Sequence, residues 1–142
     1  MTEVVVIGAG IVGAACADQL AGAGVPVTVL ERGAIASGTT GAGEGNILVS
    51  DKLPGPELDL ALLSRELWAR LGRELPEAAP EPKGGIVVAM SAAEQTALLD
   101  LAAAQRAVGV ASEALTPEQA RRAEPYLTPE LAGAVRYPQD MQ

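Results

Sequence analysis

Residues 4–31 have the sequence VVVIGAGIVGAACADQLAGAGVPVTVLE, in which two β-branched runs flank a glycine-rich turn and an alanine-rich segment. The run Val4–Ile7 is typical of a strand that is buried on both faces of a parallel sheet. The alanine-rich segment after Gly13 predicts a helix, and residues 25–30 predict a second strand that ends at Glu31. This order of strand, turn, helix and strand predicts a right-handed βαβ unit.

The three glycines of the turn, Gly8, Gly10 and Gly13, have the spacing GxGxxG. The first permits a tight turn, the second lets a pyrophosphate approach the backbone, and the third lets the helix pack close to the sheet. The helix then presents N–H groups and the positive end of its dipole to the phosphates. Glu31 can accept hydrogen bonds from the hydroxyls of an adenosine ribose and would repel a 2′-phosphate. The pattern therefore predicts a dinucleotide site that disfavours NADP, against the alternative of a plain glycine-rich turn.

A second glycine-rich stretch, ASGTTGAGEGN at residues 36–46, follows the second predicted strand. It offers backbone N–H groups and small hydroxyl or amide side chains beside the first turn. Residues 33–56 form a predicted loop, and loops of this length in a compact domain are usually functional or disordered. The loop is long enough to bind an extended cofactor along its length, which favours FAD over NAD. The alternative interpretation is that the loop is a flexible surface linker.

The longer pattern GxGxxGxxxAxxLxxxGxxVxVxE, which ends at Glu31, resembles the opening of flavoproteins of the glutathione-reductase-like structural class. With the second glycine-rich stretch, residues 4–46 resemble the start of the FAD-dependent D-amino-acid oxidase superfamily. That superfamily includes glycine and sarcosine oxidases, D-amino-acid dehydrogenases, and opine oxidase or hydroxyproline dehydrogenase subunits. Residues 41–58 are most similar to the last of these types. The resemblance extends more weakly to the end of the chain.

The resemblance implies three groups of cofactor-binding residues and a non-covalent FAD. The first group would line the pyrophosphate: Gly8, Gly10, Ile11, Val12 and Gly13. The second would bind the adenosine ribose, the adenine side, and phosphate or ribityl oxygens: Glu31, Arg32, Ser37, Thr39 and Thr40. The third would run beside the flavin ring: Gly43, Glu44, Gly45, Asn46 and Leu48. Glu44 has two interpretations, a solvated loop acid or a contact to the substrate amine. No histidine exists for covalent flavin attachment, and Cys16 is not at a suitable place.

The rest of the chain predicts helices over residues 56–75, 91–108 and 116–124, and strands over 86–90 and 133–137. We therefore expect the α/β class: the N-terminal part of a Rossmann-like FAD-binding domain, followed by the start of an α+β substrate domain. The boundary is expected at the proline-rich connection, which gives residues 1–75 and 76–142. Only two parallel strands are predicted, whereas a doubly wound sheet normally has about five or six. We expect the domain to be incomplete and the chain to be inactive alone.

Composition excludes several kinds of chemistry. The 142 residues contain no histidine and one cysteine, which excludes a histidine-based catalytic triad and multi-cysteine zinc or iron–sulfur sites within them. The formal net charge of −8 predicts no nucleic-acid partner. No uncharged stretch reaches the roughly 20 residues that a spanning helix needs. We expect a cytoplasmic protein without a metal.

The resemblance implies oxidation of the CH–NH bond of an amino acid or secondary amine, with hydride transfer to flavin N5. The expected partner is a small-molecule amine or amino acid, together with or without other subunits of a hetero-oligomeric dehydrogenase. The alternatives are another FAD- or NAD-dependent dehydrogenase with the same opening, or a non-catalytic subunit that retains the fold. The catalytic residues would follow residue 142, so none is named.

Overall fold

The computed structural model describes residues 3–142. Internal contacts divide the chain into two compact units, a first unit Met1–Glu44 and a second unit Gly45–Gln142. Each unit contains its own sheet, and no strand is shared between the two sheets. The predicted domain boundary between residues 75 and 76 stays a prediction.

The first unit is the predicted βαβ arrangement. It consists of strand β1 (Val4–Ile7), helix α1 (Ile11–Gly22) and strand β2 (Val27–Leu30). The two strands are parallel, with Val4 paired to Val27 and Ile7 paired to Leu30. Strand β2 begins two residues later than predicted, because the Val25 N–H donates to the Leu20 carbonyl at the end of the helix. Pro26 follows and has no N–H to contribute to a ladder.

The second unit is a three-stranded antiparallel sheet with three α-helices. The helices are α2 (Pro56–Glu74), α3 (Ala92–Arg106) and α4 (Pro117–Ala123), and a short 3-10 helix spans Pro76–Ala78. The strands are β3 (Gly85–Ala89), β4 (Glu113–Leu115) and β5 (Gly133–Tyr137). Strand β5 lies in the middle, paired with β3 on one side and β4 on the other. Strand β4 was not predicted, because three residues are too few to display an alternating pattern.

The core of the second unit is assembled from α2, α3, β5 and the loop before α2. Its buried members are Val49, Leu58, Ala102, Val110, Val135 and Tyr137. A smaller cluster forms around α4 and consists of Leu115, Ala120, Leu131 and Ala134. The two clusters supply most of the apolar burial, which is the main favourable contribution to folding.

Helix α2 turns one apolar side to this core and another to the surface. Leu58 is fully buried, and Ala61 and Leu62 pack against the core. Three leucines at helical spacing, for which the sequence predicts a buried face, lie on the other side: Leu60, Leu63 and Leu67 are 66%, 52% and 49% exposed. Helical spacing therefore identified a continuous apolar stripe, but not the side that this unit buries.

The helix caps follow the predicted chemistry with one difference. Thr116 and Gln119 form a complete capping box at the start of α4. At the start of α3, the Ser91 hydroxyl accepts the Glu94 N–H at 3.3 Å. The Glu94 carboxylate, however, accepts the N–H of Met90 at 2.7 Å rather than that of Ser91. The sequence Ser91-Ala92-Ala93-Glu94 predicts a reciprocal capping box, of which the structure forms only one half.

None of the helices within residues 3–142 is both long enough and apolar enough to cross a membrane.

Candidate cofactor site

The glycine turn between β1 and α1 has the tight geometry that the motif requires. Gly8 has a φ of +105°, which is a conformation that side chains disfavour. Its N–H donates to the Leu30 carbonyl at 2.7 Å, so the turn is tied to the end of β2. A Cβ on Gly13 would overlap the Gly8 carbonyl oxygen. The helix therefore approaches the strand as closely as only glycine allows at that position.

Glu31 joins the end of β2 to this turn. Its Oε2 accepts the Ala9 N–H at 2.9 Å, and its Oε1 accepts the Gly33 N–H at 2.9 Å. These two backbone donors, Ala9 first, hold the pKa of the Glu31 carboxyl below its ordinary value. The carboxylate is exposed and stays ionised at neutral pH, as an acceptor of ribose hydroxyls must.

Thr40 reaches the first residue of α1 from the second glycine-rich stretch. Its Oγ1 accepts the Ile11 N–H at 3.0 Å. A Cβ on Gly10 would come within 2.9 Å of the same oxygen, so the absence of a side chain at Gly10 makes room for the threonine. Because a hydroxyl can accept one hydrogen bond and donate another, Thr40 keeps its own O–H available.

The next two N–H groups of the helix remain open. Within residues 3–142, the N–H groups of Val12 and Gly13 have no hydrogen-bond acceptor. Such groups are the ones through which a helix N-terminus binds phosphate. The turn therefore combines unused N–H donors, the positive end of the helix dipole and the Thr40 hydroxyl, which are groups that can bind a diphosphate.

The loop from residue 33 to residue 44 folds back on the turn. The Ala36 N–H donates to the Ala9 carbonyl at 3.1 Å. Ala36 itself is left-handed, with a φ of 59°, which is uncommon for a residue with a side chain. The Ser37 hydroxyl lies beside Gly33, whereas Arg32 and Thr39 are exposed. Gly43 lies against the backbone of Thr40.

The predicted flavin-side residues lie on both sides of the boundary between the units. Gly43 and Glu44 end the first unit, whereas Gly45, Asn46 and Leu48 begin the second. Gly45 has a φ of +76°, as a glycine-specific turn requires. The backbone that follows is fixed by Ile47, which forms a β-bridge with Met141. Leu48 is half-buried.

Sequence reasoning missed one residue of the turn in the first unit and two residues of the second unit. Ala9 bonds to Glu31 and Ala36 through its N–H and carbonyl, but it occupies a variable position of the glycine motif. Buried Gln105 and Asp140 hold the loop that follows Leu48. A lone glutamine in the run Ala102–Gln105 was the only available signal for that contact.

The turn, the acid at the end of β2 and the open helix terminus together define a protein that binds a dinucleotide cofactor. The sequence matches the family described as DAO, FAD dependent oxidoreductase, over residues 3–142. The chain belongs to this family, and FAD is the family's cofactor.

Relatives of known structure have the same fold. Glycine oxidase from Geobacillus kaustophilus matches with a TM-score of 0.90 and 31% identity, over 100% of this chain and 41% of that chain. L-proline dehydrogenase from P. horikoshii matches with a TM-score of 0.86 and 30% identity, over 99% of this chain and 37% of that chain. One subunit of the anaerobic glycerol-3-phosphate dehydrogenase of Escherichia coli (strain K12) is 29% identical over 96% of this chain and 25% of its own length. The chain thus spans about a quarter to two fifths of the relatives it matches.

Proposed function

We propose that the chain binds FAD non-covalently as the N-terminal part of an enzyme that oxidises the CH–NH bond of an amino acid or secondary amine. The observation that carries the proposal is the hydrogen bond between the Ala9 N–H and Glu31 Oε2 at 2.9 Å. It brings the ribose-binding acid directly beside the phosphate-binding turn. An adenosine diphosphate spans these two features in dinucleotide sites of this kind.

Each residue group has a distinct task in this proposal. The N–H groups of Val12 and Gly13, with the Thr40 hydroxyl as a further donor, hold the pyrophosphate. Glu31 accepts the ribose hydroxyls with the lone pairs that Ala9 and Gly33 leave unused, because a carboxylate has about four acceptor positions. Arg32, Ser37 and Thr39 line the adenosine and phosphate side. Gly43, Glu44, Gly45, Asn46 and Leu48 lie along the flavin ring.

When bound, FAD supplies an acceptor for hydride at N5, which leaves the substrate amine as an imine that water hydrolyses. The residues of this chain bind and orient the cofactor and supply none of the groups that hold a substrate carboxylate. The chain covers only 41% of the glycine oxidase and 25% of the glycerol-3-phosphate dehydrogenase polypeptide. We therefore expect the 142-residue chain alone to bind FAD weakly and to turn over no substrate.

Oxidation of glycerol 3-phosphate is the second candidate. The similarity to the Escherichia coli glycerol-3-phosphate dehydrogenase, over nearly the whole chain, favours it. The glycine oxidase and L-proline dehydrogenase similarities favour an amine substrate. The two candidate reactions differ in the carbon that the hydride leaves: it bears nitrogen in an amine and oxygen in glycerol 3-phosphate.

The test measures cofactor binding first and substrate second. The full-length gene product is titrated calorimetrically with FAD, NAD and NADP, and then heat-denatured to see whether the flavin is released. We expect binding of FAD alone, complete release, and FAD affinity that is about tenfold or more lower in Glu31→Gln, because the amide replaces a charged acceptor with a donor. Asp18→Asn, which removes an exposed acid of α1, is the matched control and leaves FAD affinity unchanged.

The substrate is then identified by dye reduction with glycine, sarcosine, proline, D-amino acids and glycerol 3-phosphate. Reduction by an amine supports the first candidate, and reduction by glycerol 3-phosphate alone supports the second. Failure of the full-length protein to bind FAD refutes both.

A further inference from the structure

Three buried polar side chains of the second unit converge on one loop. They are Gln105 of α3, Tyr137 of β5 and Asp140 of the turn after β5, and all three are excluded from solvent. Gln105 and Asp140 bind backbone groups of residues 49–52, which lie far from them in sequence, and Tyr137 binds the side chain of Gln105. We call these three residues the loop-anchoring cluster.

Gln105 binds the carbonyl side of the loop. Its Nε2 lies 3.3, 3.1 and 2.6 Å from the carbonyl oxygens of Val49, Ser50 and Lys52. The Tyr137 hydroxyl donates to Gln105 Oε1 at 2.8 Å, which fixes the amide with its nitrogen toward the loop. The opposite orientation would turn an oxygen toward three other oxygens.

Asp140 binds the N–H side of the same loop. Its Oδ1 accepts the Val49 N–H at 2.8 Å and the Ser50 N–H at 3.2 Å. Immediately after Asp140, Met141 exchanges two backbone hydrogen bonds with Ile47, at 2.9 and 3.0 Å. The backbone from residue 47 to residue 52 is therefore held on both its donor and its acceptor sides.

A contribution to stability does not by itself account for such a buried polar network. A buried acid and amide in an otherwise aliphatic core cost desolvation, and apolar replacements of similar shape are often as stable. A fully satisfied polar network instead specifies one backbone position. The backbone that it holds begins at the N–H of Val49, directly after Leu48, which was assigned above to the flavin side.

We propose that the loop-anchoring cluster, which fixes the peptide between Leu48 and Val49, sets the position of Leu48 against the flavin ring, so that Gln105, Tyr137 and Asp140 are positioning residues for the cofactor. The inference rests on the proposed function, because it needs the flavin to lie along that segment. Without the cluster, FAD binding has to order the loop itself, and binding that orders a loop is weaker.

The test uses Asp140→Ala in the full-length gene product loaded with FAD. We expect FAD affinity to fall about two- to tenfold, the factor for ordering a loop on binding, and the visible circular dichroism of the bound flavin to change. Asp140→Asn keeps an oxygen that can accept both N–H groups, and it restores the dichroism. Tyr137→Phe keeps the core volume and gives a smaller change of the same kind, so the test stands even if Asp140→Ala does not fold.

The control is Leu131→Ala, which destabilises the separate cluster around α4 without touching residues 47–52. At equal loss of thermal stability, Leu131→Ala leaves flavin dichroism and FAD affinity unchanged. If it reproduces the effect of Asp140→Ala, or if the Asp140 and Tyr137 variants leave the flavin signal unaltered, the positioning role is refuted. Absence of FAD binding in the unsubstituted protein instead refutes the proposed function, and this inference with it.

Discussion

Replacing Gly13 with alanine tests how closely helix α1 approaches the end of β1. The new Cβ would overlap the Gly8 carbonyl oxygen and lie 3.1 Å from the Gly8 carbonyl carbon and 3.4 Å from Val6 Cγ1. A backbone carbonyl cannot rotate away as a side chain could. The helix as a whole has to shift, and the turn between strand and helix has to deform.

Two opposing effects set the size of the change. Alanine in a helix is about 1 kcal/mol more favourable than glycine, whereas overpacking costs about 1–3 kcal/mol. Because the overlap is with backbone, we take the upper end of that range and expect a net loss of about 2 kcal/mol. Since about 1.4 kcal/mol is a factor of ten, the opening equilibrium of the first unit rises about 30-fold.

The assay has to report on the first unit alone. Trp68 lies in α2 of the second unit, so tryptophan fluorescence is unsuitable. Amide hydrogen exchange of peptides that cover β1 and β2 measures local opening directly. Gly22→Ala in the same helix is the matched control, because a Cβ there meets nothing within 4 Å. It should leave exchange unchanged or slow it up to about fivefold.

The reasoning fails if the amides of β1 and β2 exchange at the same rate in Gly13→Ala and in Gly22→Ala. Faster exchange of β1 and β2 in Gly13→Ala alone supports it, and FAD binding should weaken in the same variant.

Three further outcomes are expected. The pKa of Glu31 is lower in the folded chain than in the unfolded chain, so its ionised carboxylate stabilises the fold. This contribution is complete above the ordinary glutamate pKa of about 4.3 and is lost as the pH falls through the lower pKa of the folded state. An NMR titration midpoint of Glu31 at or above the ordinary value would contradict this. Gln105→Leu leaves the Tyr137 hydroxyl and three carbonyl oxygens without their partner. The free energy of unfolding, measured by Trp68 fluorescence in urea, should therefore fall by about 3 kcal/mol. A loss below about 1 kcal/mol would argue against the network. Thr116→Ala removes the cap of α4 and should cost about 1 kcal/mol in the same assay; an unchanged midpoint would show that the cap is not needed.

The first unit was predictable because its information is local. Strand, turn, helix and strand follow one another within residues 4–30, and the spacing of Gly8, Gly10 and Gly13 fixes the turn between them. The hydrogen bond from the Ala9 N–H to Glu31 was not predicted, although it joins the ends of two adjacent parallel strands that were. The family resemblance added the identity of the cofactor.

The second unit was predictable only in its parts. Helix α2 was expected with nearly its observed bounds, but its periodicity could not say which of two apolar sides the core would take. The loop-anchoring cluster joins residues separated by 55 and 91 positions. No pattern within a short window contains such a contact, because tertiary packing alone brings its members together.

The arrangement of the second sheet has a consequence during synthesis on the ribosome. Strand β5, which lies between β3 and β4, is translated after both of them, so neither has this neighbour to pair with until residues 133–137 emerge. The strands and the helix of the first unit, in contrast, have all been translated once residue 30 has emerged. In the interval Leu58 and Leu62 of α2 and the backbone of residues 49–52 lack the contacts that they make in the folded unit. Partly folded chains of this kind are the form that chaperones and proteases meet.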